Sequence, residues 1–74
     1  MPRYFFHLVG SSPAHDWVGH VCKNDRQAKQ DARQIARRLS IDKPEIFRDG
    51  DCISLTDDAG NEIFHVPIAL IKAA

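Results

Sequence analysis

Asn24-Asp25-Arg26-Gln27-Ala28-Lys29-Gln30-Asp31-Ala32-Arg33-Gln34-Ile35-Ala36-Arg37-Arg38-Leu39 is the stretch that decides the fold. Asn24 is a good helix N-cap, and Gln27 stands three positions on, where it can close a capping box. Asp25 suits the positive end of the helix dipole, and Arg37 and Arg38 the negative end. Ala28, Ala32, Ile35, Ala36 and Leu39 recur at spacings of three and four, which gives one apolar stripe. Pro44 disfavours helical backbone at Lys43, so the helix is expected to end between Ser40 and Asp42.

On the N-terminal side, Tyr4 to Val9 is a compact apolar and aromatic run of strand type. Gly10-Ser11-Ser12-Pro13 marks a loop, and Trp17 to Val21 is expected to form a second short strand interrupted by Gly19. On the C-terminal side, Pro44 to Asp51 reads as a connection whose Ile46 and Phe47 tuck back onto the core. Cys52 to Thr56 alternates as a half-buried strand does. Asp57-Asp58-Ala59-Gly60-Asn61 is a turn with Gly60 suited to positive φ in a bulged hairpin loop. Glu62 to Val66 is the returning strand, and Pro67 ends it or confines it to an edge. Ile68 to Ile71 is an apolar tail able to dock. The fold class expected is α+β in ββαββ order: a small antiparallel sheet of three to four strands with one helix on one face. Residues 1–74 read as a single domain, whose size makes for a thin core.

The chain resembles an uncharacterised domain-of-unknown-function family of short bacterial proteins that open with a Pro-Arg-Tyr-Phe-Phe-His segment. Pro2, Arg3, Tyr4, Phe5, Phe6 and His7 carry the resemblance. Asp16 and Gly19 follow as a spaced pair, then Ala28 and Ala32 on the helix, and Asp57, Asp58, Gly60, Val66 and Pro67 in the closing hairpin. The resemblance supports the strand, helix and hairpin reading and implies no activity, ligand or site.

Ten basic and ten acidic residues cancel, so global charge points to neither nucleic acid nor membrane. The local distribution is uneven. Lys23 to Arg48 contains eight basic and four acidic residues, a balance of +4, whereas the rest contains two and six, a balance of −4. Arg26, Lys29, Arg33 and Arg37 share one flank of the helix away from the apolar stripe. Lys29 has Asp25 four positions earlier, but the three arginines have no acid at i±3 or i±4. Such a ridge suits a phosphate backbone or an acidic protein surface. A solvated helix face, answered in trans or in a dimer by Asp57, Asp58 and Glu62 of the hairpin, is the simpler reading.

Cys22 and Cys52 occur without an export signal, and the opening apolar run is too short for a signal peptide. No stretch approaches the roughly 18 apolar residues of a membrane span. The expectation is a cytoplasmic protein with reduced cysteines and no membrane partner. His15, His20 and Cys22 lie close in sequence, while His7, Cys52 and His65 can approach across the sheet. No Cys-x-x-Cys or His-x-x-x-His pair is present, so no metal and no cofactor are expected. Neither cysteine sits in a sharp turn or Gly-framed motif, and Asp49, Asp51, Asp57 and Asp58 lie where turns attract aspartate. No catalytic residue is named and an enzyme is not expected.

In a strand Tyr4, Phe6 and Leu8 face one way and Phe5, His7 and Val9 the other. One helix covers one of these faces, so the tail, the Phe47 loop or another subunit must cover the second. The expectation is a non-enzymatic interaction module, self-associating through the sheet or binding another protein, with Tyr4, Phe5, Phe6 and Trp17 as apolar contacts. The alternative is nucleic-acid binding by Arg26, Lys29, Arg33 and Arg37.

Overall fold

A computed structural model of the chain describes residues 1–68. The elements run β1 (Arg3–Val9), β2 (His20–Val21), α1 (Asp25–Asp42), β3 (Cys52–Thr56) and β4 (Glu62–Pro67). The four strands form one antiparallel sheet in the order β2-β1-β3-β4. The α+β class and the ββαββ order agree with the sequence reading, and the sheet order places β1 and β3 at the centre.

The α1 start follows its capping residues with one shift. Asn24 Oδ1 accepts from the Gln27 N–H, but Gln27 Oε1 accepts from the N–H of Lys23 rather than from that of the cap itself. The helix runs to Asp42, and the Lys43 N–H closes it on the Leu39 carbonyl. Arg37 and Arg38 therefore lie before the last turn, which carries no basic residue, and do not stand at the negative end as expected. The buried seam is Ala28, Ala32, Ala36 and Ser40, all small, so the helix backbone lies close to the sheet. Leu39 is half-buried beside it, and Ile35 stays partly exposed. The buried Ser40 hydroxyl donates to the Arg37 carbonyl, which satisfies it within the helix.

Against this seam pack Tyr4, Ile53, Leu55 and Ile68, with Phe6, Leu8, Phe47, Ile63, Phe64 and Val66 around them. The register explains the set: Phe6 pairs with Leu55, Leu8 with Ile53, and these in turn with Phe64 and Val66, so one face of the sheet is continuously apolar. Burying a side chain of this size stabilises by about 1.5–3 kcal/mol, so a few residues carry most of the core. Phe47 tucks onto this cluster as expected, whereas Ile46 remains exposed. Of the apolar tail, Ile68 is buried; residues 69–71 lie outside the described residues.

The Tyr4 hydroxyl donates to Asp25 Oδ1 at 2.6 Å and so joins β1 to the first turn of α1. That bond, with burial, pushes the phenol up to about 12. At the other end of β1, Asp51 is buried and accepts from the Ser11 N–H, the Ser11 hydroxyl and the Arg48 N–H. Its own carbonyl accepts from the Ile68 N–H. One residue thus closes the loop after β1, the connection before β3 and the exit of β4. The Ser11 and Arg48 amides and the Ser11 hydroxyl hold its carboxyl below the usual range. Gly10, at φ +129°, lies so close that a Cβ there would collide with the Asp51 carboxylate.

The hairpin forms as the turn residues require. Asp57 Oδ1 accepts from Ala59 and Asn61, Gly60 takes φ +88°, and a bulge between Leu55 and Thr56 shifts the register. Pro67 is the last residue of β4, an edge strand, where its missing N–H costs no ladder bond on the outer side. β2 is shorter than the sequence suggested. It begins only at His20, because Asp16 captures the Val18 and Gly19 N–H groups and holds Trp17 and Val18 in a loop.

Candidate functional site

The loop between β1 and β2 presents Trp17, the most exposed large apolar side chain among the described residues, with Val18 beside it. It returns to β1 through a two-bond bridge between Leu8 and Ala14, leaves it at His15, and rejoins it at His20. Asp16 fills the gap. One of its carboxylate oxygens accepts from the Phe6 N–H of β1, and the other from Val18 and Gly19. Burial pushes this carboxyl up, but the amides of Gly19, Phe6 and Val18 outweigh it and hold the group below its ordinary range. The Arg3 guanidinium donates to the Val18 carbonyl at 2.8 Å and pins the far side of the loop.

On this scaffold four aromatic rings stand in series. Phe5 and His7 lie parallel on β1 with centroids 6.3 Å apart; His15 packs on His7 at 4.2 Å, and Trp17 on His15 at 4.2 Å. The tautomer of His7 is fixed by its neighbours. The Asp16 N–H donates to Nδ1, which leaves the Nε2–H to donate to Thr56 Oγ1 at 3.2 Å. Burial, and then His15, hold His7 below the ordinary imidazole range, so the ring is neutral at pH 7. A notch of about 330 Å³ opens beside the stack, lined from the loop by His15 and Trp17 and from the hairpin by Asp57 and Asp58. Trp17 is 83% exposed and Val18 76%.

The four expected apolar contacts do not form one patch. Tyr4 is buried in the core and Phe6 is half-buried against it, so neither is a surface residue. Phe5 is half-buried on the face opposite α1, and Trp17 alone projects. The period-2 alternation of a strand separates Tyr4 and Phe6 from Phe5, which is the physical reason for this correction.

The basic residues do share one flank, but two of them have an apolar partner. Arg33 lies over the Phe64 ring at 4.9 Å and Lys29 at 5.8 Å, cation–π contacts that cover β4. Arg26 and Arg37 are exposed. Among the described residues the one contact of a basic side chain with a carboxylate within 4 Å is His65 with Glu62 at 3.1 Å, so the acidic hairpin does not answer the ridge within the chain.

One grouping escaped the spacing argument. His20, Cys22 and Asp31 come together with ligand atoms all within 4.8 Å of one another. The expectation that no metal-ligand set exists rested on short sequence motifs, and this one is divided between a strand and a helix. The sequence signal is His-x-Cys in extended backbone followed by an acid two turns into a helix. Cys22 is buried and its thiol donates to Asp31 Oδ2 at 3.5 Å; burial, then that bond, push the thiol up. Both cysteines are free.

Among the described residues no helix is long and apolar enough to cross a membrane. No curated protein and no solved structure matches the chain. A family does match, over residues 3–69, and that span takes in every strand, the helix and the aromatic loop. The chain belongs to the family described as "Domain of unknown function (DUF6894)".

Proposed function

We propose that the protein is a non-enzymatic interaction module, bacterial and cytoplasmic, that self-associates through the sheet face opposite α1. The observation that carries this reading is the exposed Trp17 at the end of the Phe5–His7–His15 stack. Tryptophan held rigid by a packed neighbour is the residue type that anchors protein interfaces, because its large area is immobilised in advance. The partner is a second copy. The notch beside Trp17 combines aromatic rings with Asp57 and Asp58, and the same chain carries exposed, unneutralised arginines on α1. An arginine entering that notch gains both a ring face and a carboxylate. Sedimentation velocity over a wide concentration range tests this. The expected result is a mass that rises with concentration in the native chain and stays monomeric in Trp17→Ser. A monomer throughout removes the reading.

Nucleic-acid binding by Arg26, Lys29, Arg33 and Arg37 is the second reading, supported by a ridge without an ion-pair partner among the described residues. It requires binding to a mixed DNA duplex that weakens steeply with salt and loses slope in Arg26→Gln with Arg37→Gln.

A further inference from the structure

His20 and Cys22 stand two positions apart in extended backbone, which turns both side chains to the same face of the sheet. The Cys22 N–H donates to the Pro2 carbonyl, so pairing with β1 holds that geometry past the end of β2. Asp31 reaches the same spot from α1, beside the buried Ala28 and Ala32. The end of β2 and the helix that follows it thus deliver three different ligand types to one place.

We propose that His20, Cys22 and Asp31 bind a zinc ion. Zinc bonds of roughly 2.0–2.3 Å to nitrogen, oxygen and sulfur separate neighbouring ligand atoms in a tetrahedron by about 3.5 Å. Cys22 Sγ and Asp31 Oδ2 already stand at 3.5 Å. The remaining closure, from 4.8 Å at most, falls to His20, whose ring is exposed and meets Phe6 edge-on with centroids 6.4 Å apart. A thiolate and a carboxylate balance the two charges of the ion, so the inner sphere is neutral and suited to a partly buried position. A mixed sulfur, nitrogen and oxygen set selects a borderline cation over magnesium or calcium. On binding, the Cys22 S–H bond breaks, its proton passes to solvent, and the sulfur electron pair forms the bond to zinc. His20 and Asp31 also line a cavity of about 640 Å³ with Phe6, Ile35, Arg38 and Leu39, which supplies an entry path. Three protein ligands leave the fourth position to water or to a small anion entering past Arg38.

Cobalt(II) added to the reduced, metal-stripped chain, followed by displacement with zinc, tests the site. The expected result is one cobalt per chain, with a thiolate-to-cobalt charge-transfer band in the near ultraviolet and the visible bands of a tetrahedral centre. Cys52→Ser keeps the band and Cys22→Ser abolishes it. Because Cys22 is buried and its replacement can unsettle the fold, two further variants carry the test. His20→Gln and Asp31→Asn keep the helical and sheet signatures and weaken zinc binding beyond the about 10- to 100-fold typical of losing an outer-shell partner. Absence of the thiolate band in the native chain overturns the site. So does a band that follows Cys52, or zinc affinity unchanged in both His20→Gln and Asp31→Asn.

Discussion

Asp16 and Asp51 are built alike and used differently. Each is a carboxylate that collects three donors, all backbone amides at Asp16 and two amides with one hydroxyl at Asp51, and each is held below its ordinary range by them. Asp51 is buried, and its donors come from two segments that it joins to the exit of β4. Asp16 is half-buried, and two of its three donors come from the loop it belongs to. The first closes the domain; the second shapes one loop and presents Trp17. The same chemistry serves stability where its donors are remote in sequence and presentation where they are local.

The contrast breaks most visibly at Asp51. Asp51→Asn keeps the shape but offers one acceptor oxygen to donors that now share two, and leaves part-buried donors short. A fall in Tm of more than about 10 °C is expected by calorimetry. Asp16→Asn is the matched test, and a smaller fall of about 5 °C is expected because solvent can replace part of what is lost. Equal losses in the two variants would show that the loop is as much a part of the core as the closing hub.

Acid sharpens the same comparison through His7, whose Nδ1 accepts from the Asp16 amide. Its folded pKa lies below the unfolded value of 6.5, so between the two the unfolded chain binds the extra proton. Stability is therefore full above pH 6.5 and declines as pH falls from there through the depressed folded pKa. Asp16, Asp51 and Asp57, also depressed, add their own decline only below their ordinary 3.8. Urea unfolding against pH should show two separate regions of loss, and His7→Gln should flatten the upper one alone. The smallest effect on stability belongs to Trp17→Ala, within about 0.5 kcal/mol, because the ring is mostly solvent-exposed. At concentrations where both chains are monomeric that variant should leave the melt in place, and at higher ones it should lose the stabilisation that association adds.

The helix and the hairpin were legible in the sequence because their signals are local. Asn24, Gln27 and Pro44 bracket α1, and Asp57, Gly60 and Pro67 punctuate β3 and β4, within a few residues of what they control. What was not legible is what the fold brings together from afar. Asp51 read as one more turn aspartate, since nothing near it in sequence announces that Ser11, 40 positions away, is its donor. Trp17 to Val21 reads as a short strand interrupted by Gly19, whereas Asp16 next to it takes the amides a strand would need. The aromatic run misled in another way. Its alternation was visible, and alternation alone forbids Tyr4, Phe6 and Phe5 from sharing a surface. His20, Cys22 and Asp31 lie within twelve residues, but their division between a strand and a helix hides them from short-motif spacing.

The central position of β1 has a kinetic consequence. Its partners on β3 lie 43 to 51 residues along the chain, from Val9 with Cys52 to Phe5 with Thr56. The helix and the β3–β4 hairpin close over short loops, but this middle ladder cannot form until a long loop is closed at its entropic cost. During synthesis, Tyr4 to Val9 can meet Ala14 and β2 early but must wait for β3 while the whole helix and the connection after it are made. An aromatic run, Tyr4 to Val9, is thus left with one open edge until β3 arrives, which is the edge an early partner chain could take.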